Sequence, residues 1–266
     1  MKRSLLLTSV LCFGVAFLYV PIASMMVYSF NSSRLATVWG GFSTEWYGKL
    51  WENDQVWDAL WLSLRIAAVS ATLATALGVM SALALVRFGA FRGRGLFAAL
   101  NIAPLVLPEI IIAIALLMLF VIMGHYIGWP AQRGATTITL AHATLSVTYV
   151  VTVVRARLIA MDPSLEEAAL DMGARPLQVL ATVTLPIIAP AILAGWLLAF
   201  TLSLDNVVVS NFTSGPGATT LPILIWSKVK LGVSPDINAL ATVMVLAVAV
   251  VVALAGFVAV RKGKAR

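Results

Sequence analysis

DPSLEEAALDMGARPLQVLATVTLPIIAP, residues 162–190, is the longest polar interruption in a chain that is otherwise apolar enough for lipid. Its pattern predicts two short helices meeting at Gly173. Asp162 can cap the first, with Pro163 at its first position, where a missing N–H costs nothing. Glu166 and Glu167 then sit in the positive first turns, and Gly173 is a natural stop because glycine enters the left-handed conformation freely. The second segment, residues 176–182, ends ahead of Leu185-Pro186. A polar helix–turn–helix between two membrane spans is a docking surface, so its meaning depends on its flanks.

Those flanks read as membrane. The 266-residue chain is 61% hydrophobic and 11% charged, with a mean hydropathy of +0.99. A soluble domain carries roughly a quarter charged residues. Apolar runs place six spans at about 5–28, 59–86, 96–123, 136–154, 187–212 and 237–260, each long enough for the ~20 residues that cross hydrocarbon. The expectation is an all-α, multi-pass membrane protein forming a single transmembrane domain over residues 1–266, with a polar loop at 155–186. Lys2-Arg3 and the following apolar run resemble a signal peptide, but no small-x-small cleavage site follows, so a retained anchor is expected. Cys12 is the single cysteine, which leaves no intrachain disulfide and no cysteine-based metal site.

Charge placement gives the orientation. Lys2, Arg3, Arg87, Arg92, Arg94, Arg155, Arg157, Arg175, Arg261, Lys262, Lys264 and Arg266 fall on one side. Arg34, Lys49, Arg133, Lys228 and Lys230 fall on the other. The bias puts both termini and residues 162–190 in the cytoplasm. The net charge of +7 is therefore topogenic, and nucleic acid is not an expected partner. The opposite-side loop, residues 30–58, holds Trp39, Trp46, Tyr47, Trp51 and Trp57. Such aromatics form an interfacial belt, or one of them, Trp46 or Tyr47, gates a cation through its ring face.

Enzyme signatures are missing. No GxxxxGK[ST] phosphate loop, HExxH or GxSxG occurs. His125 and His142 are not spaced as a metal pair, and His142 reads as a satisfied span residue. No metal site and no catalytic residue are expected.

Arg65, Glu109 and Asp205 lie inside the expected spans, where a central charge costs at least ~2.5–3.5 kcal/mol. At 1.5 Å per residue, Glu109 and Asp205 lie roughly 20 Å from the cytoplasmic ends of their spans, in the outer half. Arg65 either pairs with one of these carboxylates or reaches outer headgroups. Glu109 follows Pro104 and Pro108, which break the helix and free backbone carbonyls; such breaks are tolerated where a helix lines a cavity. Two carboxylates with freed carbonyls suit a cation pathway, and Asn206 and Asn211 add neutral polar groups.

Glu167-Ala168-Ala169, Gly173 and Val183-Thr184-Leu185-Pro186 resemble the EAA loop, EAA-x3-G-x9-I-x-L-P, of the membrane subunits of binding-protein-dependent ABC importers. Val183 stands where isoleucine is usual. The resemblance implies a six-helix type I importer fold in the inner membrane. It also implies a coupling helix that inserts into an ATPase subunit, with the contact carried by Glu166, Glu167, Ala168, Ala169 and Gly173. FLYVPIASMMVYSFNSS (17–33), TEWYGKL (44–50), GWLLAFTLSLDN (195–206), SGPGATTLP (214–222) and VSPDINALAT (233–242) look like the spermidine/putrescine permease subfamily, and within it the putrescine permeases. That resemblance implies a homologous second permease, two ATPase subunits that bind the ATP and Mg, a periplasmic polyamine-binding protein, and no cofactor in this chain. It also makes Glu109 and Asp205, with Asn206 beside them, candidates for the substrate pathway, and Trp46 for the outer gate. The subfamily carries LSLDD where this chain has Asp205-Asn206. The alternatives are an importer permease for an amino acid, opine, iron complex or other small cation, and a passive channel.

Overall fold

Backbone amides in hydrocarbon must find partners within their own segment, so apolar runs of this length fold as helices. The computed structural model describes residues 5–33, 38–232 and 235–264, with side chains described over 7–33, 38–230, 232 and 235–250. Lys2, Arg3, Arg34 and Arg266 lie outside the described residues, as do Val233 and Ser234 of the VSPDINALAT stretch. The helices are α1 (Leu5–Tyr28), α2 (Glu45–Trp51), α3 (Asp54–Arg87), α4 (Arg94–Val106), α5 (Glu109–Ile127), α6 (Ala135–Ala160), α7 (Ser164–Asp171), α8 (Pro176–Val179), α9 (Leu185–Leu204), α10 (Val208–Thr213), α11 (Leu221–Leu231) and α12 (Pro235–Lys264). A π-helical turn, Leu180–Thr184, joins α8 to α9. Among the described residues the one β contact is an isolated bridge between Asn31 and Phe42.

Leu7–Tyr28, Asp54–Arg87, Glu109–Ile127, Ala135–Ala160 and Pro176–Leu204 are each long and apolar enough to cross a membrane. The expected span at 237–260 falls inside α12, a helix of 30 residues. Two expectations change. The span at 96–123 is two helices, because Leu107 turns extended ahead of Pro108 while Pro104 stays within α4. The span at 187–212 starts earlier and stops sooner. The second segment of the polar loop does not end at residue 182 but runs through the π turn into α9, and α9 ends at Leu204, ahead of a break at Asp205.

The chain divides into two units, residues 1–57 with 225–266, and residues 58–224. In the first, α12 packs against α1 and α2. The aromatic loop is folded around Asn31, which is fully buried. Its Nδ2 donates to the Val38 carbonyl at 2.7 Å, its Oδ1 accepts from Gly40 N at 2.8 Å, and its own carbonyl accepts from Trp46 Nε1 at 2.7 Å. Phe30 stacks on Phe42, and the Tyr47 hydroxyl pairs with Ser29 Oγ at 2.6 Å. Lys228 and Asp236 form an ion pair at 2.6 Å in the same unit.

The second unit is built on α6, its most buried helix. Helices in lipid gain little from hydrophobicity, so they associate where small residues let side chains interlock. Val150 of α6 is fully buried between Gly78 of α3 and Gly195 of α9. A Cβ on Gly78 would lie 2.7 Å from Val150 Cβ, and one on Gly195 would lie 3.3 Å from its Cγ1. Ala71, Ala74, Ala82, Val154, Leu158 and Ile188 extend this contact along the three helices.

Candidate functional site

Two places in the second unit gather most of the residues singled out from sequence. The first is a cavity of about 460 Å³ between two helix breaks. One break lies between α4 and α5. Leu107 and Pro108 are extended there, and Glu109 opens α5. The other lies between α9 and α10, where Asp205 caps α9 and Asn206 organises the start of α10. Asn206 Oδ1 accepts from Val209 N at 2.9 Å and Ser210 N at 3.4 Å, while its Nδ2 donates to Glu109 Oε1. That single side chain ties the two breaks together. Glu109, Asp205 and Asn206 all line the cavity, so three of the sequence candidates meet in one place.

Neither carboxylate forms an ion pair among the described residues, and the lining holds no Lys or Arg. Arg65 stands elsewhere on α3, exposed, with its guanidinium 5.2 Å from the centroid of the Trp61 ring. It pairs with neither carboxylate among the described residues. The stack with an aromatic four residues earlier accommodates its charge instead. Leu105, Leu107, Leu145 and Leu202 supply apolar wall.

The sequence reading missed the third wall, made by His142, Ser146 and Tyr149 of α6. These residues recur at the i, i+4, i+7 spacing of one helix face, a signal visible in the sequence once α6 is known to be central. His142 is 2% exposed and, as expected, satisfied. Its Nδ1 pairs with Ser203 Oγ at 2.6 Å and its Nε2 with Ser210 Oγ at 2.9 Å.

Trp46 belongs to the first unit. It is buried as a strut of the aromatic loop, and the Lys49 ammonium sits 4.7 Å from its ring centroid.

The second place is the turn at Gly173. Asp162 Oδ1 accepts from Ser164 N at 3.0 Å, and this hydrogen bond holds the exposed Asp162 carboxyl below its ordinary range. The helix α7 ends in a Schellman closure, with Gly173 N bonded to Leu170 O and Ala174 N to Ala169 O. Gly173 takes φ +88°, where a Cβ is strained. The five residues expected to carry docking divide by direction. Glu167, Ala168 and Gly173 face outward together with Leu170, Met172 and Leu177, whereas Ala169 is buried. Glu166 also turns inward, with Oε2 2.7 Å from Arg87 Nε and Oε1 accepting from Thr184 Oγ1 at 2.6 Å.

Residues 74–261 match the family described as binding-protein-dependent transport system inner membrane component. The chain is 53% identical over 257 residues to the putrescine transport system permease protein PotI of Escherichia coli (strain K12), covering 97% of this chain and 92% of that one. It is 43% identical over 239 residues to the spermidine/putrescine transport system permease protein PotC of the same organism, covering 90% and 88%. A solved bacterial ABC transporter involved in import of the acidic polysaccharide alginate superposes with a TM-score of 0.74 over 94% of each chain. At 16% identity that likeness is one of fold, the helical fold of an ABC importer permease. With the family matched over residues 74–261 and both relatives aligned over most of their length, this chain belongs to the inner membrane components of binding-protein-dependent transport systems.

Proposed function

We propose that this chain is the permease subunit of an ATP-driven importer that moves a polyamine, putrescine or spermidine, inward across the membrane. The observation that carries the reading is the meeting of Glu109 and Asp205 in one cavity with no Lys or Arg in its lining. A polyamine is a chain of methylenes bearing two or more ammonium groups at neutral pH. The carboxylates match the ammonium groups, and the leucines of the wall match the methylenes. The printed names of the 53% and 43% identical relatives point to the same substrate class. On the outer side we assign Trp46 to the gate, as the resemblance implies.

ATP and Mg are assigned to separate ATPase subunits, with no cofactor in this chain. Glu167, Ala168 and Gly173, bordered by the exposed Leu170, Met172 and Leu177, form the surface for an ATPase at the cytoplasmic face. A homologous second permease and a periplasmic polyamine-binding protein complete the assembly. Closure of the ATPase pair would move the turn and alternate the access of the cavity. Labelled putrescine uptake by cells lacking their own polyamine importers, supplied with the complete system, tests the reading. Uptake that depends on this chain is expected, and uptake indifferent to its deletion would refute it.

Asn206, neutral where the subfamily carries an acid, favours a second reading, import of a different small solute. The side chain has another use here, since it caps α10 and bonds Glu109. Competition by an amino acid but not by spermidine would select that reading.

A further inference from the structure

Among the described polar side chains around the cavity, His142 bonds both the end of α9 and the start of α10. Ser203 is the penultimate residue of α9, and Ser210 is the third residue of α10. The imidazole, 2% exposed, holds the first through Nδ1 at 2.6 Å and the second through Nε2 at 2.9 Å. Between those two serines lie Asp205 and Asn206. The clamp is anchored on a third helix, because Ser70 Oγ of α3 donates to Ser203 Oγ at 3.1 Å. On its far side Ser210 N reaches Asn206 Oδ1 at 3.4 Å, and Asn206 bonds Glu109. A neutral imidazole offers one donor and one acceptor, and serine hydroxyls can answer either. Replacing it with an apolar ring would leave buried hydroxyls without that partner and would release the spacing of the break.

We propose that His142 is a positioning residue of the transport cavity: it fixes the width of the α9–α10 break and so sets where the Asp205 carboxylate meets an ammonium group of the cargo. The cargo part rests on the polyamine reading above; the geometric part does not. His142 acts through Ser203 and Ser210 on Asp205 and Asn206, and it carries no charge exchange of its own.

The test uses the complete importer in proteoliposomes, with saturating binding protein. Putrescine moved per ATP hydrolysed is expected to fall about tenfold in His142→Phe. It should be largely retained in His142→Gln, whose amide NH2 donates and whose carbonyl oxygen accepts. On an Asp205→Asn background, His142→Phe is expected to add little, since both changes act through one group. Equal losses in the Phe and Gln variants, or a full additional loss on the Asp205→Asn background, would overturn the proposal. Should His142→Phe fail to assemble, Ser210→Ala makes the same comparisons by removing one arm of the clamp.

A cargo-free reading separates the two layers. In a Cys12→Ser background, the labelling rate of Asp205→Cys by a cationic thiol reagent should change several-fold when Ser210→Ala is added. That of an exposed control, Gln132→Cys, should not. An unchanged rate at 205, or an equal change at 132, refutes the clamp whatever the cargo. A changed rate at 205 alone, when the complex that keeps Asp205 moves no polyamine, upholds the clamp and refutes the polyamine reading.

Discussion

Arg87 Nε lies 2.7 Å from Glu166 Oε2, an ion pair that ties the end of α3 to the helix of the Gly173 turn. The other carboxylate oxygen accepts the Thr184 hydroxyl, which closes the π turn leading into α9. Glu166 thus links α3, α7 and the π turn that leads into α9, the helix that ends at Leu204. Adjacent glutamates therefore point different ways, Glu167 outward and Glu166 inward to Arg87 and Thr184.

The side chains of this pair are 23% and 17% exposed, so its loss should cost less than the ~3–5 kcal/mol of a fully buried pair. Glu166→Ala is expected to destabilise the chain by about 1–2 kcal/mol, read as a lower unfolding temperature in detergent. The swap Arg87→Glu with Glu166→Arg should recover part of it. Destabilisation undiminished in the swap would show that the pair is not the link.

Glu167→Lys and Gly173→Asp should leave insertion and stability nearly intact while uptake falls at least tenfold. Gly173→Asp adds a Cβ at φ +88°, a local strain of about 1 kcal/mol. Copurification with the ATPase subunit, together with the ratio of uptake to hydrolysis, checks both. Normal uptake in both variants would remove the turn from coupling.

Asp205→Asn should reduce polyamine uptake about tenfold or more. Glu109→Gln should reduce it less, because the amide oxygen can still accept from Asn206 Nδ2 and keep the two breaks joined. Measured uptake rates of the two variants, at matched membrane levels, give the comparison. Wild-type kinetics for Asp205→Asn would take that carboxylate out of the pathway.

At the helix crossing, Gly78→Ala would bring a methyl to 2.7 Å from Val150 Cβ. Overpacking of this kind costs about 1–3 kcal/mol. Val150→Gly on the Gly78→Ala background, which removes that Cβ, should cost less than the sum of the two single changes, as thermal unfolding would show. Independent, additive losses would mean that the two residues do not meet.

The apolar runs, and with them the all-α membrane fold, were legible from composition and length alone. The breaks inside the runs were legible in part. Pro104 and Pro108 announced a break, but its position came from Leu107, extended because the residue before proline avoids the helical region. The break at Asp205 has no proline or glycine beside it. It is held by Asn206 capping α10 and by its bond to Glu109, ninety-seven residues away, a contact that no local pattern contains. The same holds for Glu166. Its position in the first turn of α7 explains a carboxylate there, but only the fold shows Arg87 and Thr184 waiting for it. The aromatic loop looked like a belt because aromatics favour interfaces. Its buried organiser, Asn31, has a polar side chain whose value lies wholly in tertiary hydrogen bonds.

Polyamine import is tested most directly by ATP hydrolysis in the reconstituted complex, with binding protein presented alone or loaded with putrescine, spermidine or an amino acid. Putrescine or spermidine should stimulate hydrolysis several-fold in the wild type, and Glu167→Lys should abolish the coupled uptake. Stimulation by the amino acid with none by either polyamine would contradict polyamine import.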